Sequence, residues 1–390
     1  MRKLYILPAI ALLAAMGFLT YTNFIASEPQ PDQTSQQATQ TADPDAKADA
    51  DTEPKTFIRI AAMGDMLPHD TVNLRAKTDE GYDYLQFFDK ITSRLDGADI
   101  IFCNQESPSA GAEYGITGFP SFNAPTEFSR DLAKLGCNVI NLANNHVADK
   151  GQQAINATLD TWDNLDTLAV SGANRTQAEQ NSVSYFEVAG KKFAFIAFTD
   201  LSNNRSIEAH SINMFSQSLV TSLASEAAAN ADYVIASAHW GIEDSSTVSS
   251  AQRGWAELLA SNGVDLIIGT GPHVLQPVET IGKTTVFYSI GNFLSTQLTI
   301  DQLIGGIAYI DIPLGEGEPE LSFVPTYMSY TWNAADANAE NLLARDNLDL
   351  YPLSEASLLI EQSLFDTSAQ TQTTRVRDLL NQKTSVEILP

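Results

Sequence analysis

With 390 residues, 44% of them hydrophobic and 18% charged, the chain is long enough to bury a substantial core, and disorder cannot describe most of it. A formal net charge of −26 and a pI near 4.3 exclude nucleic acid and anionic lipid as direct partners of the folded body, because both demand a basic face. The same charge reads most simply as a solubilising surface.

Residues 2–26 begin with Arg2 and Lys3 and continue as an uncharged apolar run of about the length that crosses a bilayer. Export is the expectation, in one of two forms. An uncleaved signal anchor would hold the N-terminus inside and the body outside the cell membrane; a cleaved signal peptide would release a secreted body. Residues 27–55 contain no aromatic and no branched aliphatic side chain and are rich in Pro, Gln, Thr, Ala and Asp, so they read as a disordered acidic linker. A folded domain is expected over residues 56–335, with a C-terminal helical extension, 336–390, packing on it.

From Thr56 onward, short apolar runs alternate with amphipathic stretches. FIRIAAMGD, ADIIFCNQE, CNVINLANNH, DTLAVSGAN, KKFAFIAFTD, DYVIASAHWG, VDLIIGTGPH and TTVFYSIGNF are near-continuously hydrophobic, the pattern of strands covered on both faces. Between them PTEFSRDLAKLG, GQQAINATLDTWDNL, FSQSLVTSLASEAAANA and SAQRGWAELLASNG carry helical spacing, with Pro125 near a start and Gly136 and Gly263 at ends. The alternation predicts a layered α/β domain. Cys103 and Cys137, the only cysteines, lie in two of the apolar runs. Buried free thiols are the default reading, with a disulfide between neighbouring strands as the alternative outside the cytoplasm. VSYFEVAGKKFAFIAF reads as a hairpin turned at Gly190-Lys191, which makes the sheet mixed, and GGIAYIDIPLGEGEPELSFVPTYMSY as a second hairpin, turned at GEGE, closing the domain edge.

Polar residues capable of chemistry fall at the C-terminal ends of the apolar runs, the edge where open α/β sheets bind ligands. In order these ends are Asp65 with His69, Glu106, Asn144-Asn145-His146 with Asp149, His239-Trp240, and His273. Carboxylates, an amide and imidazoles from five strands form a mixed oxygen and nitrogen set suited to hard or borderline divalent ions. Four of the five histidines lie in these loops, and such clustering points to a shared site. Asn144 reads as a supporting residue, Asp149 as the partner that orients His146, and Trp240 as either a core residue or a substrate contact. His69 and Asn292 are further candidates for substrate contact at the rim.

The motifs GDMLPHDTV, NQES, FPSFNAPTEFSRDLAKLGCNVINLANNHVADKG, HWGIED, GPHVLQPVE and YSIGNF, in this order from Ile58 to Leu298, resemble those of the CapA family of capsule-synthesis proteins, associated with poly-γ-glutamate. The resemblance implies the calcineurin-like metallophosphoesterase fold, two mixed β-sheets flanked by helices in an α/β/β/α sandwich. It also implies a centre for one or two divalent ions (Mn, Zn or Fe). By position, Asp65 and His273 would hold one ion, Glu106 would bridge, and Asn145 and His239 would hold a second; His146 would act as general acid. Two cations about 3.5–4 Å apart activate water and neutralise charge on a phosphoryl or carbonyl oxygen. Members of the family usually carry a second histidine two or three residues before the position of His273. Here Thr270 and Gly271 stand there, which removes an expected ligand of the second ion.

Three functions follow as expectations. The first is an envelope enzyme acting on a phosphoester or an anionic, peptide-like polymer. The second is a non-catalytic polymer-handling subunit beside membrane capsule-synthase components. The third, a solute-binding domain, leaves the histidine clustering unexplained. Rim loops 111–119 and 201–215 are expected to set the substrate.

Overall fold

A computed structural model describes residues 55–390. The expected N-terminal signal segment and all but the last residue of the expected linker lie outside the described residues. Among the described residues, no helix is long and apolar enough to cross a membrane.

In chain order the strands are β1 (Phe57–Met66), β2 (Lys77–Thr78), β3 (Gly81–Tyr82), β4 (Ile100–Gln105), β5 (Val139–Asn141), β6 (Ala169–Ser171), β7 (Ser184–Val188), β8 (Lys191–Thr199), β9 (Tyr233–His239), β10 (Leu266–Thr270), β11 (Val278–Ile281), β12 (Thr284–Phe287), β13 (Asn292–Leu294), β14 (Ile304–Pro313), β15 (Glu320–Thr331), β16 (Asp346–Pro352) and β17 (Glu387–Ile388). The first sheet runs β16-β15-β14-β1-β4-β5-β6, with β13 beside β1 and β17 beside β15; the second runs β11-β12-β10-β9-β8-β7. Within the first sheet β1, β4, β5 and β6 are parallel neighbours, and within the second β8, β9, β10 and β12 are. Both sheets are therefore mixed.

The sheets pack face to face through one apolar layer. Ile60 and Phe102 of the first meet Phe195, Ile235 and Ile268 of the second, and the Phe102 and Phe195 rings sit edge to face at 6.1 Å. Helices Thr126–Leu135 and Gln152–Trp162 bury Phe128, Leu132, Ile155, Leu159 and Trp162 in the same continuous core. A separate apolar cluster joins the second sheet to helices Gln217–Asn230 and Ser250–Ser261 through Leu223, Ala256, Leu259 and Trp240. The result is the expected two-sheet sandwich flanked by helices. Local signals agree with it: Gly136 takes the left-handed conformation that ends its helix, and Ser249 and Gln252 form a capping box at the start of theirs.

Three features differ from expectation. The first hairpin turns at Ala189-Gly190, one residue early, because both take positive φ and so supply the twist a tight turn needs. The β14–β15 hairpin does not close the sheet edge; β16 pairs outside it, and β17 adds a short parallel strand, so the last fifty-odd residues contribute strands as well as helices.

Cys103 and Cys137 are joined in a disulfide rather than lying as free thiols. Cys137 lies two residues before β5, the strand paired to β4, which is what brings the sulfurs within reach. The bond closes a 34-residue separation, for which the loop-entropy account gives about 3–4 kcal/mol. A Cys103→Ser, Cys137→Ser double variant is thus expected to lose that much stability, with a lower thermal midpoint that added reductant no longer shifts. Identical melting of the oxidised and reduced wild-type protein would contradict this.

Candidate metal centre

The centre forms where the C-terminal ends of β1, β4, β9 and β10 converge with the loop after β5. At the end of β1 the pairing register shifts between Met63 and Asp65, and Gly64 packs against the Gly291 carbonyl, which accepts the Asp65 N–H at 3.0 Å. A bulge of this kind re-aims the next side chain, here Asp65, into the space between the sheets. One Asp65 oxygen accepts from Asn104 Nδ2 at 2.7 Å, the other lies 3.0 Å from His273 Nδ1, and the Gly271 N–H approaches both at 3.2–3.3 Å. Asn141 holds Asn104 in turn at 2.8 Å.

His273 has φ +62, a conformation non-glycine residues seldom adopt and one that clusters at functional sites. Asn292 Oδ1 lies 3.1 Å from the same Nδ1, while the Asn292 amide donates to Gln297 and to the Gln302 carbonyl. Asn292 is thereby a buried positioner of His273, not the rim residue expected to contact substrate. Of the two readings of Trp240, its packing supports the core one. It is 2% exposed, its indole N–H donates to the Tyr288 carbonyl, and its ring stacks on Phe215 in the outer core.

On the other side, Thr270 Oγ1 lies 3.0 Å from His239 Nδ1, and His239 Nε2 is 3.1 Å from Asn145 Oδ1. With Thr270 accepting the Nδ1 proton, Nε2 turns its lone pair toward oxygen atoms that are themselves acceptors. Thr270 thus orients a candidate ligand in place of being one. Gly271 is equally constrained, with φ +105 and a Cβ there lying 3.0–3.2 Å from the Trp240 backbone and His239 Nε2.

Glu106 decides what the cluster can hold. It is 0% exposed, and neither carboxylate oxygen has a hydrogen-bond partner. A buried ionised carboxylate in that state costs several kcal/mol unless a cation meets it. His239 Nε2 and His273 Nε2 stand 3.5 and 3.8 Å from Glu106 Oε1, too far for hydrogen bonds. Two ligands at about 2.1 Å on a tetrahedral ion stand about 3.4 Å apart, so these gaps fit a shared cation. Asp65, Glu106 and His239 each offer one atom within 4.8 Å of the others, a buried group compatible with a divalent metal.

Electrostatics follow from that crowding. Burial, then the charges of Asp65, Glu243 and Asp149, hold the Glu106 carboxyl well above the usual range. Burial pushes Asp65 the same way, but the hydrogen bond and charge of His273 outweigh it and leave Asp65 below its ordinary value. His273 is correspondingly raised: burial opposes its charge, and Asp65 more than compensates. Burial lowers His239 to about 3, so this ring is neutral and free to ligate.

His146 sits beside the cluster. Its Nδ1 lies 2.7 Å from Asp149 Oδ2, and the Asn203 amide, from the 201–215 loop, is 3.2 Å from the same nitrogen. Asn144 supports the turn by accepting the His146 and Val147 N–H groups at 3.2 and 2.8 Å. The Phe122 ring packs edge to face with His146 at 4.5 Å and with His69 at 5.3 Å. His69 is therefore one ring removed from the cluster, with burial and the neighbouring positive charges lowering it to about 3.

Residues 59–297 match the sequence profile of the bacterial capsule synthesis protein family PGA_cap, well over half of the chain. The chain belongs to this family. Similar proteins include the PGA biosynthesis protein CapA of Bacillus subtilis strain 168, 29% identical over 236 residues that cover 54% of this chain and 60% of the relative. Another is the capsule biosynthesis protein CapA of Bacillus anthracis, 30% identical over 182 residues, 45% of this chain and 44% of the relative. The alignments thus span less than two thirds of either relative's length.

Asp65, Glu106, Asn145, His146, His239 and His273 all fall inside the PGA_cap segment. Sequence reasoning gave no supporting role to Asn104, Asn141, Thr270 or Glu243. For the first three the signal was present, a polar residue at the last position of an otherwise apolar strand (Asn141, Thr270) or next to it (Asn104), and Glu243 lies in the HWGIED motif. What each touches depends on sheet order.

Proposed function

We propose that this PGA_cap protein acts in the cell envelope, in the making of an anionic, peptide-like capsule polymer, and that its strand-end cluster is a metal-dependent hydrolytic centre. The observation that carries the reading is Glu106, buried without a donor beside Asp65 and His239. Asp65 and His273 would hold one ion, Asn145 and His239 a second, with Glu106 between them; Mn, Zn and Fe suit such a set. When bound, the metal would supply Lewis acidity toward a phosphoryl or carbonyl oxygen and activate water. The chain's own residues would do the rest. Asp149 orients the His146 ring through Nδ1, leaving Nε2 to deliver a proton to a leaving group. The converging strand ends hold the ligands rigid. An extracytoplasmic location is supported by the charged start and apolar run of residues 2–26 and by the Cys103–Cys137 disulfide.

Metal analysis of the purified protein, joined to a phosphoester and γ-glutamyl substrate screen, tests this. The wild type is expected to carry a transition metal and turn over one substrate class, and His146→Asn to retain the metal while losing at least 100-fold in kcat, roughly the worth of a general acid. A wild-type protein free of metal after growth and purification without chelator would remove the proposal.

Thr270 and Gly271, which stand where a second histidine is expected, favour a second reading, a metal-stabilised but non-catalytic polymer-handling subunit beside membrane capsule-synthase components. Full restoration of capsule by His146→Ala in a deletion strain would select it.

A further inference from the structure

Beside the metal centre, and partly outside the PGA_cap segment, lies a cleft of about 680 Å³ whose lining includes His69, Lys77, Tyr82, Phe119, Leu343 and Arg345. Arg345 is 3% exposed. Its guanidinium has five N–H bonds, and its three recorded acceptors are all neutral: the Leu342 carbonyl at 2.8 Å, Thr71 Oγ1 at 3.2 Å and the Thr296 carbonyl. Tyr330 and Trp332 offer it ring faces at 5.3 and 5.7 Å. Among the described residues no carboxylate pairs with it, whereas Arg59 and Arg253, both more exposed, are paired with Asp311 and Glu279. Buried charges are ordinarily paired, so a buried cation without an anion on a chain of net charge −26 marks the place where an anion belongs.

The cleft also leads toward the chemistry. Thr296 offers its carbonyl to Arg345 and its N–H to His69 Nδ1 at 3.4 Å, and His69 reaches His146 through the single ring of Phe122. The walls hold unusually exposed apolar groups, Phe119 at 72% among them. The carboxylates that share the cleft are Asp70, tied to the Gly118 N–H at 2.7 Å, and Glu340. We propose that this cleft is an anion subsite in which Arg345 and Lys77 take a carboxylate of a γ-linked glutamyl chain while the apolar walls cover its main-chain methylenes. The identity of that chain rests on the function proposed above; the need for an anion rests on Arg345.

Isothermal calorimetry of the full-length protein tests the subsite with three probes: a γ-linked glutamate oligomer, the same oligomer with its carboxylates amidated, and inorganic phosphate. The acidic oligomer is expected to bind at least tenfold more tightly than the amidated one. Arg345→Gln should weaken it about tenfold or more, as loss of a charged hydrogen bond does, and the exposed Lys77→Glu should weaken it measurably with no change in melting or metal content. If Arg345→Gln does not fold, Lys77→Glu decides. Oligomer binding that is absent, equal for the amidated probe, or unaffected by Lys77→Glu would overturn the proposal, as would full displacement by phosphate at concentrations equal to the oligomer's. Metal content is read separately, so a metal-free protein that still shows carboxylate-dependent, Lys77-dependent binding would count against the hydrolytic centre and for the subsite.

Discussion

Glu106→Gln is expected to make the metal-free protein more stable while abolishing its metal loading. The carboxylate has no donor for either oxygen, so an uncharged amide removes a desolvation cost of about 1–3 kcal/mol, minus whatever the new N–H₂ group fails to satisfy. Wild-type stability should also carry a pH signature. In the folded apo-protein Glu106 is protonated well above its ordinary 4.5, so between 4.5 and that raised value the folded state holds a proton the unfolded state has released. Stability therefore falls as pH rises through that window. The variant should lack this fall. Bound metal should cancel it in the wild type, because the cation stabilises the ionised form, and metal uptake should release protons from Glu106 and His273. Denaturant titrations of apo and loaded protein across pH 5–8 measure all of this. A Glu106→Gln protein that is markedly less stable than apo wild type, or that keeps a full metal complement, would contradict it.

Gly64→Ala is expected to cost about 3 kcal/mol or more and to empty the centre. A Cβ at residue 64 would lie 1.9 Å from the Gly291 carbonyl oxygen, which is backbone and cannot rotate away. That carbonyl accepts the Asp65 N–H, so relieving the clash separates β1 from the Ile290–Gly291 turn and moves the carboxylate it aims. Gly190→Ala is the useful comparison. Its φ of +77 strains alanine, but nothing lies within 4 Å of the added methyl, so a loss of about 1 kcal/mol from conformation alone is expected, with metal content unchanged. Equal losses at the two positions would show that the close approach at Gly64 is not what holds Asp65.

These two variants separate what local pattern predicts from what packing adds. Near-continuous apolar runs over residues such as Ile58–Met63 and Phe193–Phe198 are strands in any context that covers both faces, and their polar final residues point to one edge of the fold. That was enough to gather Asp65, Glu106, Asn145, His146, His239 and His273 as one candidate set, because residue type and position at a strand end are local properties. The same logic left Trp240 open between core and substrate contact and put Asn292 at the rim. Each follows a strand-end motif, but whether its side chain turns to the opening or to the core depends on which neighbour, Phe215 or His273, sheet packing brings beside it.

Composition, hydrophobic period and strand-end chemistry thus determined, from the sequence alone, a layered α/β domain with a mixed carboxylate, amide and imidazole edge. Only the tertiary structure decided that Thr270 orients His239, that Cys103 meets Cys137, that Glu106 is left without a donor, and that Arg345 lies buried with no carboxylate paired to it among the described residues. The physical reason is range. Hydrophobic period is set by neighbours a few residues apart, whereas Asp65 and His273 meet across 208 residues, and nothing in either segment records the order in which the strands between them pack.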